Sequence, residues 1–365
     1  MHVLVGADRG GCERNCLMVC RYPSGQSHHV LILNDPGEMS PEFEATGAAV
    51  SHLKIMQDPW PRFCSRLQKV AESIRPRGII FWHGLVHLPQ MLRALEPLQV
   101  PWAVHGGNPA HNMPRWVDLK FRLLGCLFPV QRLPTYACCS QFVEESFQSS
   151  TFLRRFPRVV IPNGVEPPPV EHKPKEIDRK DPCTIGMLAR LDSIKDHRTL
   201  LEAFKIVLRT RPSAVLELAG DGDLRAALEE FADANAIRQQ VRFLGTVVDI
   251  YPVMARWDVF AYATTEQEGF GNALVEAMML GLPCVATDVG PVAEVAGTPP
   301  QIALVPPNDP TALAERILVL LQTPSERWSL GEAARLRANV EFSAAVFAKR
   351  YVDLLTGSQP VSTAA

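Results

Sequence analysis

The 365-residue chain has no apolar run approaching the ~20 residues that a membrane-spanning helix needs. It has no long Lys/Arg run either, and its formal net charge is −2, which excludes the electrostatic footprint of a nucleic-acid binder. The start, Met1-His-Val-Leu-Val-Gly6, lacks the basic-then-apolar pattern of a secretory signal and reads as a first strand. Nine cysteines are present, an odd count, with no Cys-x-x-Cys pair or other zinc-ligand spacing. Neither a disulfide framework nor a zinc module follows. No Gly-x-Ser-x-Gly elbow and no Gly-x-Gly-x-x-Gly fingerprint occurs, so serine hydrolysis and dinucleotide binding are not indicated. These absences point to a cytoplasmic protein with reduced thiols.

What is present is ordinary globular material, 47% hydrophobic and 21% charged, long enough for two domains. Short apolar runs alternate with amphipathic stretches, the pattern of parallel sheets flanked by helices. The first half carries predicted strands at 2–6, 30–34, 78–83, 101–105, 136–140 and 159–162. The second carries them at 184–189, 214–219, 241–244, 258–263, 283–287 and 302–305. Between them, residues 166–182 hold five prolines among many charges, which cannot form a core element and reads as a linker. The fold class expected is α/β, with two Rossmann-like, doubly wound parallel-sheet domains. They cover residues 1–165 and 183–341, and 342–365 forms a last helix and tail. Leu200, Leu201, Phe204, Val207 and Leu208 mark a helix from His197, and Ser343 is placed to cap the last one.

Cys12, Cys16 and Cys20 recur every four residues, which reads as a buried face of the first helix in preference to a metal cluster. Cys138 and Cys139 fall in a strand and read as core.

The strongest chemical signal is Glu268-Gly-Phe-Gly-Asn-Ala-Leu-Val-Glu276, between a strand and a helix. A glycine loop entering a helix presents unpaired N–H groups and the positive end of the helix dipole, which suits an anionic ligand. The two carboxylates would be about 12 Å apart at helical pitch, far enough to hold hydroxyls at both ends of an extended phosphate-containing molecule. Arg190 and Lys195 flank a strand's C-terminal end in the same half, where open α/β sheets bind ligands. A guanidinium fork and a mobile ammonium there suit a diphosphate.

In the first half, Gly10-Gly11 opens the first helix, where a ligand can approach the backbone or a plain turn can form. His105 and His83 each end a strand before glycine and compete as donors to a sugar hydroxyl or an acyl oxygen, although a strand-end histidine is often structural. Asp221-Gly-Asp223 reads as a turn, with Asp223 capping the next helix, and not as a metal pair. Residues 114–128 interleave Arg115, Lys120 and Arg122 with Trp116 and several leucines. They read first as a packed helix and second as a surface for an anionic membrane.

From Thr184 to about Val295 the chain resembles the C-terminal domain of retaining family-4 glycosyltransferases (glycosyl transferases group 1) of the GT-B fold. The resemblance rests on Arg190…Lys195, Gly220-Asp-Gly, Phe243-Leu-Gly245, Glu268-Gly-Phe-Gly…Glu276 and Pro283-Cys-Val-Ala-Thr-Asp288. Weaker matches run through the first half at Gly10-Gly-Cys-Glu13, His105-Gly, Cys139-Ser-Gln-Phe-Val143 and Ile161-Pro-Asn-Gly-Val-Glu166. It implies two domains facing across a cleft, with the last helix crossing back to the first. It also implies that Arg190 and Lys195 bind the donor diphosphate and Glu276 the ribose. Glu268 and the backbone at Phe270, Gly271 and Asn272 would hold the sugar. Phe243, Leu244 and Gly245 would line the base, Gly10 and Gly11 would lie by the phosphate, and His105 would touch the sugar. One departure is Gly290-Pro291, where the family more often has two consecutive glycines.

The implied activity is transfer of a hexose from a nucleotide-diphosphate sugar to a glycan, lipid-linked or small-molecule acceptor. It would proceed with retained configuration and without a metal or other cofactor. A nucleotide-sugar epimerase on the same fold and a non-catalytic nucleotide-sugar-binding module are the competing expectations.

Overall fold

The computed structural model describes residues 1–8, 10–22, 25–83, 87–110, 119, 133–169 and 182–357. Two compact units emerge, one joining Met1–Gly164 to the segment that begins at Ala344, the other Val165–Ser343. The sequence expectation placed these borders at 165/166 and 341/342. Most of the linker, residues 170–181, lies outside the described residues, as do 114–118 and 120–128 of the candidate membrane segment.

The first unit holds β1 (His2–Leu4), β2 (His29–Ile32), β3 (Ala49–His52), β4 (Ile79–Phe81), β5 (Trp102–Gly106), β6 (Thr135–Cys138) and β7 (Arg158–Val160). The second holds β8 (Thr184–Leu188), β9 (Val215–Ala219), β10 (Val241–Gly245), β11 (Val259–Tyr262), β12 (Cys284–Thr287) and β13 (Ala303–Val305). Helices α1 (Gly11–Arg21), α2 (Ser40–Ala45), α3 (Trp60–Ile74), α4 (Leu88–Leu95) and α5 (Gln141–Ser146) flank the first sheet. The second unit carries α6 (His197–Thr210), α7 (Arg225–Ala234), α8 (Tyr251–Met254), α9 (Asn272–Leu280), α10 (Gly290–Ala296), α11 (Pro310–Gln322) and α12 (Pro324–Phe342). A last helix, α13, spans Ala344–Thr356.

Each sheet is parallel and doubly wound. The strand order is β3-β2-β1-β4-β5-β6-β7 in one and β10-β9-β8-β11-β12-β13 in the other. The order reverses between β1 and β4, and again between β8 and β11. Those are the points where the loops after neighbouring strands part and leave a crevice. Central strands are buried on both faces, as at β11 and β12, which is why they read as unbroken apolar runs. The strand β3 was not anticipated. Its residues are exposed or half-buried at the sheet edge, so Ala-Val-Ser-His carries little hydrophobic signal.

Local capping explains several boundaries. Asp196 accepts from the Thr199 amide at 3.1 Å and starts α6, whose apolar stripe packs against α11. Asp309 does the same for α11 through Ala312 at 2.9 Å. Asp223 does not cap as expected, because α7 begins one residue later with Leu224 at its N-cap and no side-chain bond. Asp221 instead accepts from the Gly222 amide and pairs with Arg225 at 3.0 Å, so the segment is still a turn.

At Ser343 the chain leaves α12 in an extended conformation and returns to the first unit. There α13 packs on α1 and buries Ala344, Phe347, Ala348 and Tyr351 around Trp82. Cys16 and Cys20 lie on the buried face of α1, and Cys12 is half-buried. A hydrogen bond with Cys16 and the neighbouring His2 hold the Cys20 thiol below the usual range, while burial pushes Cys16 up.

Candidate active site

The loops after β8 and β11 meet at the second unit's switch point. They are stitched by backbone, since Asp196 N donates to Ala263 O and Thr265 N to Ile194 O, both at 3.0 Å. This stitching brings Lys195 from one loop onto Glu268 from the other. One oxygen of Glu268 accepts from Lys195 Nζ, from Tyr262 Oη at 2.7 Å and from Thr264 Oγ1 at 3.3 Å. Its other oxygen accepts from the Gly269 and Phe270 amides at 3.0 and 3.4 Å. Lys195 Nζ also donates to Tyr262 Oη at 2.6 Å and lies 4.8 Å from that ring's centre.

Burial alone would raise the Glu268 pKa. The Lys195 charge and the donated hydrogen bonds outweigh it and hold the carboxyl below its ordinary range. Tyr262 moves the other way, pushed well up by burial and then by the Glu268 charge. At neutral pH Glu268 is therefore a carboxylate and Tyr262 a neutral phenol. A carboxylate with this many donors is a poor general base and a fixed negative charge.

Gly271 turns the chain into α9 at φ +95°, a conformation that favours glycine, and Cβ growth there would press on Tyr262. Asn272 begins α9, and Phe270 is buried edge-on to Phe342. Glu276 is half-buried one turn into α9, close enough for its charge to act on Tyr262. Arg190 is 75% exposed and pairs with Asp192 at 2.9 Å. Surface pairs of this kind are worth about 0–1 kcal/mol, so the guanidinium is easily released to a phosphate. Further along the same edge, Leu191 N bonds Asp221 O and Gly220 N bonds Gly245 O. These contacts carry Phe243, Leu244 and Gly245, at the bulged end of β10, into the same row of loops. Pro291 sits in the first turn of α10, where its missing N–H removes one helix-start donor.

The first unit's switch point is built differently. Gly10 caps α1 and Gly11 opens it, and a side chain at Gly11 would meet nothing within 4 Å. His83 Nδ1 accepts from Val5 N at 3.1 Å, so Nε2–H donates to Glu13 at 2.9 Å. His105 departs from its expected position. It is 3% exposed, with Nδ1 2.7 Å from Tyr351 Oη and Nε2 3.2 Å from Asn15 Nδ2, which also reaches Asn163. Burial first, then the charge of His83, lowers its pKa to about 4. Its ring is neutral, and in this conformation both nitrogens are engaged, leaving none for a sugar hydroxyl.

Thus Lys195, Glu268, Phe270, Gly271, Asn272 and Glu276 come together, Arg190 and Phe243–Gly245 line the same strand ends, and Gly10, Gly11 and His105 belong to the other unit. Tyr262 and Thr264 were missed. Their place at the C-terminal end of an apolar strand was the available signal. Tyr351, 246 residues from its partner, offered none.

Solved structures of similar fold include Anabaena Alr3699/HepE in complex with UDP and glucose, with a TM-score of 0.79 and 19% identity. That match covers 97% of this chain and 98% of the other. A sucrose-phosphate synthase from Thermosynechococcus elongatus matches at a TM-score of 0.75 and 17% identity, over 98% of each chain. The fold is GT-B. Residues 182–323 match the family described as Glycosyl transferases group 1. Among curated relatives, the putative glycosyltransferase EpsF of Bacillus subtilis is 26% identical over 79% of this chain and 78% of its own length. A GDP-mannose-dependent monoacylated alpha-(1-6)-phosphatidylinositol monomannoside mannosyltransferase of Corynebacterium glutamicum is 29% identical over 47% of this chain, which spans 46% of that relative.

Proposed function

We propose that the protein transfers a hexose from a nucleotide-diphosphate sugar to a glycan, lipid-linked or small-molecule acceptor, with retention at the anomeric carbon and without a metal. The observation that carries this reading is the Lys195–Glu268–Tyr262 cluster at the switch point of the unit that matches the group 1 family. Breaking a sugar–phosphate bond builds positive charge at the anomeric carbon and negative charge on the diphosphate. Lys195 and Arg190, with the helix-start amides of α9, stabilise the second charge, as fixed donors do in other sites. An incoming diphosphate competes with Glu268 for Lys195. That release opens a lone pair on Glu268 to a sugar hydroxyl, while Tyr262, Thr264 and two amides keep the carboxylate anchored. Glu276 takes the ribose and Phe243–Gly245 the base. The departing phosphate accepts the acceptor's proton, since the saturated Glu268 is badly suited to do so.

The first unit serves the acceptor, and a side chain at Gly11 would meet nothing within 4 Å. UDP-sugars are the first donors to try, because HepE structures of the same fold hold UDP, UDP with glucose, and UDP-glucose. Such a protein works in the cytoplasm. No helix of the described residues is long and apolar enough to cross a membrane, and contact through residues 114–128 would be peripheral.

The test is a thermal-shift screen with UDP-, GDP- and ADP-sugars, where a ligand at 100 times its Kd adds about 2.7 kcal/mol. Proton NMR of the product then reads the anomeric configuration. Inversion would remove the retaining mechanism, and no shift with any nucleotide would remove the donor site. Conversion of the donor to an epimer without acceptor would favour the isomerase reading.

A further inference from the structure

His2, Cys16 and Cys20 form a second chemical cluster, in the first unit and outside the donor site. All three are buried, and one ligand atom from each lies within 4.8 Å of the others. The fold brings them together from two elements: β1 supplies the imidazole, and successive turns of α1 supply both sulfurs. A tetrahedral ion bound by two thiolates and an imidazole needs those atoms about 3.3–3.8 Å apart, given bonds of about 2.0–2.3 Å. Small side-chain rotations close that difference.

Two further observations favour a ligand over simple packing. A cavity of about 550 Å³ adjoins the cluster, lined by His2, Val19, His28, His29, Arg75 and Tyr351 among others, and gives an ion a way in. His28 Nδ1 lies 2.9 Å from His2 Nε2, and Trp82 Nε1 donates to His2 Nδ1 at 3.2 Å, so the ring is already oriented from both sides. On loading, the Trp82 bond to Nδ1 yields to the coordination bond, while Nε2–H donates to His28 Nδ1 and fixes the ring, as acceptors behind metal-binding histidines do.

We propose that His2, Cys16 and Cys20 bind a thiophilic divalent cation of the zinc class, with water from the cavity completing the shell. Both sulfurs bind as thiolates, any thiol proton leaves to solvent, and nothing is oxidised. Two thiolates neutralise its charge, which suits a buried position. The bound ion clamps β1 to α1 and leaves the Lys195–Glu268 cluster untouched.

The experiment uses the full chain, chelator-stripped and fully reduced, titrated with Co(II) and then Zn(II). Thiolate-to-cobalt charge transfer and tetrahedral d–d absorption should saturate at one ion per chain and disappear as zinc replaces cobalt. Cys16→Ser and Cys20→Ser should each lose the charge-transfer band, while Cys64→Ser, at a half-buried thiol elsewhere in the same unit, keeps it. His28→Ala should weaken binding about 10–100-fold. Zinc should raise the melting temperature of the parent and not of Cys20→Ser, a readout that serves even if a variant is marginally stable. No charge-transfer band in a parent whose thiols all react with a thiol reagent overturns the site. Retention of the band by both serine variants does so equally.

Discussion

The two sheets share one winding, with the order reversing between the first and fourth strands of each, yet their switch points hold different chemistry. In the second unit the crevice carries a lysine–carboxylate–phenol cluster, with Glu268 and Tyr262 buried and Lys195 half-buried, at the mouth of a glycine-started helix. In the first it carries an open glycine at a helix start and a histidine tied to a carboxylate, while His105 is enclosed by Asn15 and Tyr351. Topology fixes where a ligand can sit. The side chains at that address decide which ligand.

The sharpest way to break this comparison is to remove the second unit's charges. Glu268→Ala and Lys195→Ala should each lower transfer by at least about 10²–10³-fold, the effect of losing one preset electrostatic contact. Both should still fold. Lys195→Ala leaves Glu268 with four other donors, which limits the cost of stranding a buried charge. Radiolabelled-sugar transfer alongside circular-dichroism melting checks both, and full activity in either variant would dissolve the assignment.

Acid stability probes a property the two units share. His105 in the first and His197 in the second are both brought down to about 4, chiefly by burial. These values lie below the unfolded value of about 6.5, so the unfolded chain binds the extra proton. The stability involved is complete above pH ~6.5 and is lost as pH falls toward ~4, by up to about 3 kcal/mol per histidine. Urea unfolding across that range should show the slope, and His105→Gln or His197→Gln should each flatten part of it. An unchanged slope in both would mean that neither histidine is buried neutral.

Smaller effects separate scaffold from site within the first unit. Tyr351→Phe removes the His105 partner and should cost about 1 kcal/mol, with nucleotide binding to the second unit unaltered in the thermal-shift assay. Gly11→Ala should change stability by less than about 0.5 kcal/mol, because the new methyl meets nothing. It should nonetheless reduce transfer if a donor phosphate approaches that backbone. Unchanged transfer would detach Gly11 from the site.

Much of this was legible in sequence. Among the described residues, alternating apolar runs located every strand except β3, whose exposed edge position carries weak periodicity. The Glu268-Gly-Phe-Gly segment announced a turn into a helix, because glycine and helix-start preferences act over a few residues. His105 shows the limit of such local signals. A strand-end histidine before glycine looks alike in sequence whether it faces a ligand or, as here, a tyrosine on the last helix.

Sequence by itself determined two α/β halves, a glycine loop entering a helix, and an Arg190–Lys195 pair at a strand end of the same half. Only the tertiary structure decided that Lys195 closes directly on Glu268 across 73 residues, that Tyr262 joins them, and that His2 completes a cluster with Cys16 and Cys20. The physical reason is that propensity and periodicity are local, whereas a parallel sheet sets side by side the ends of strands that are distant in the chain.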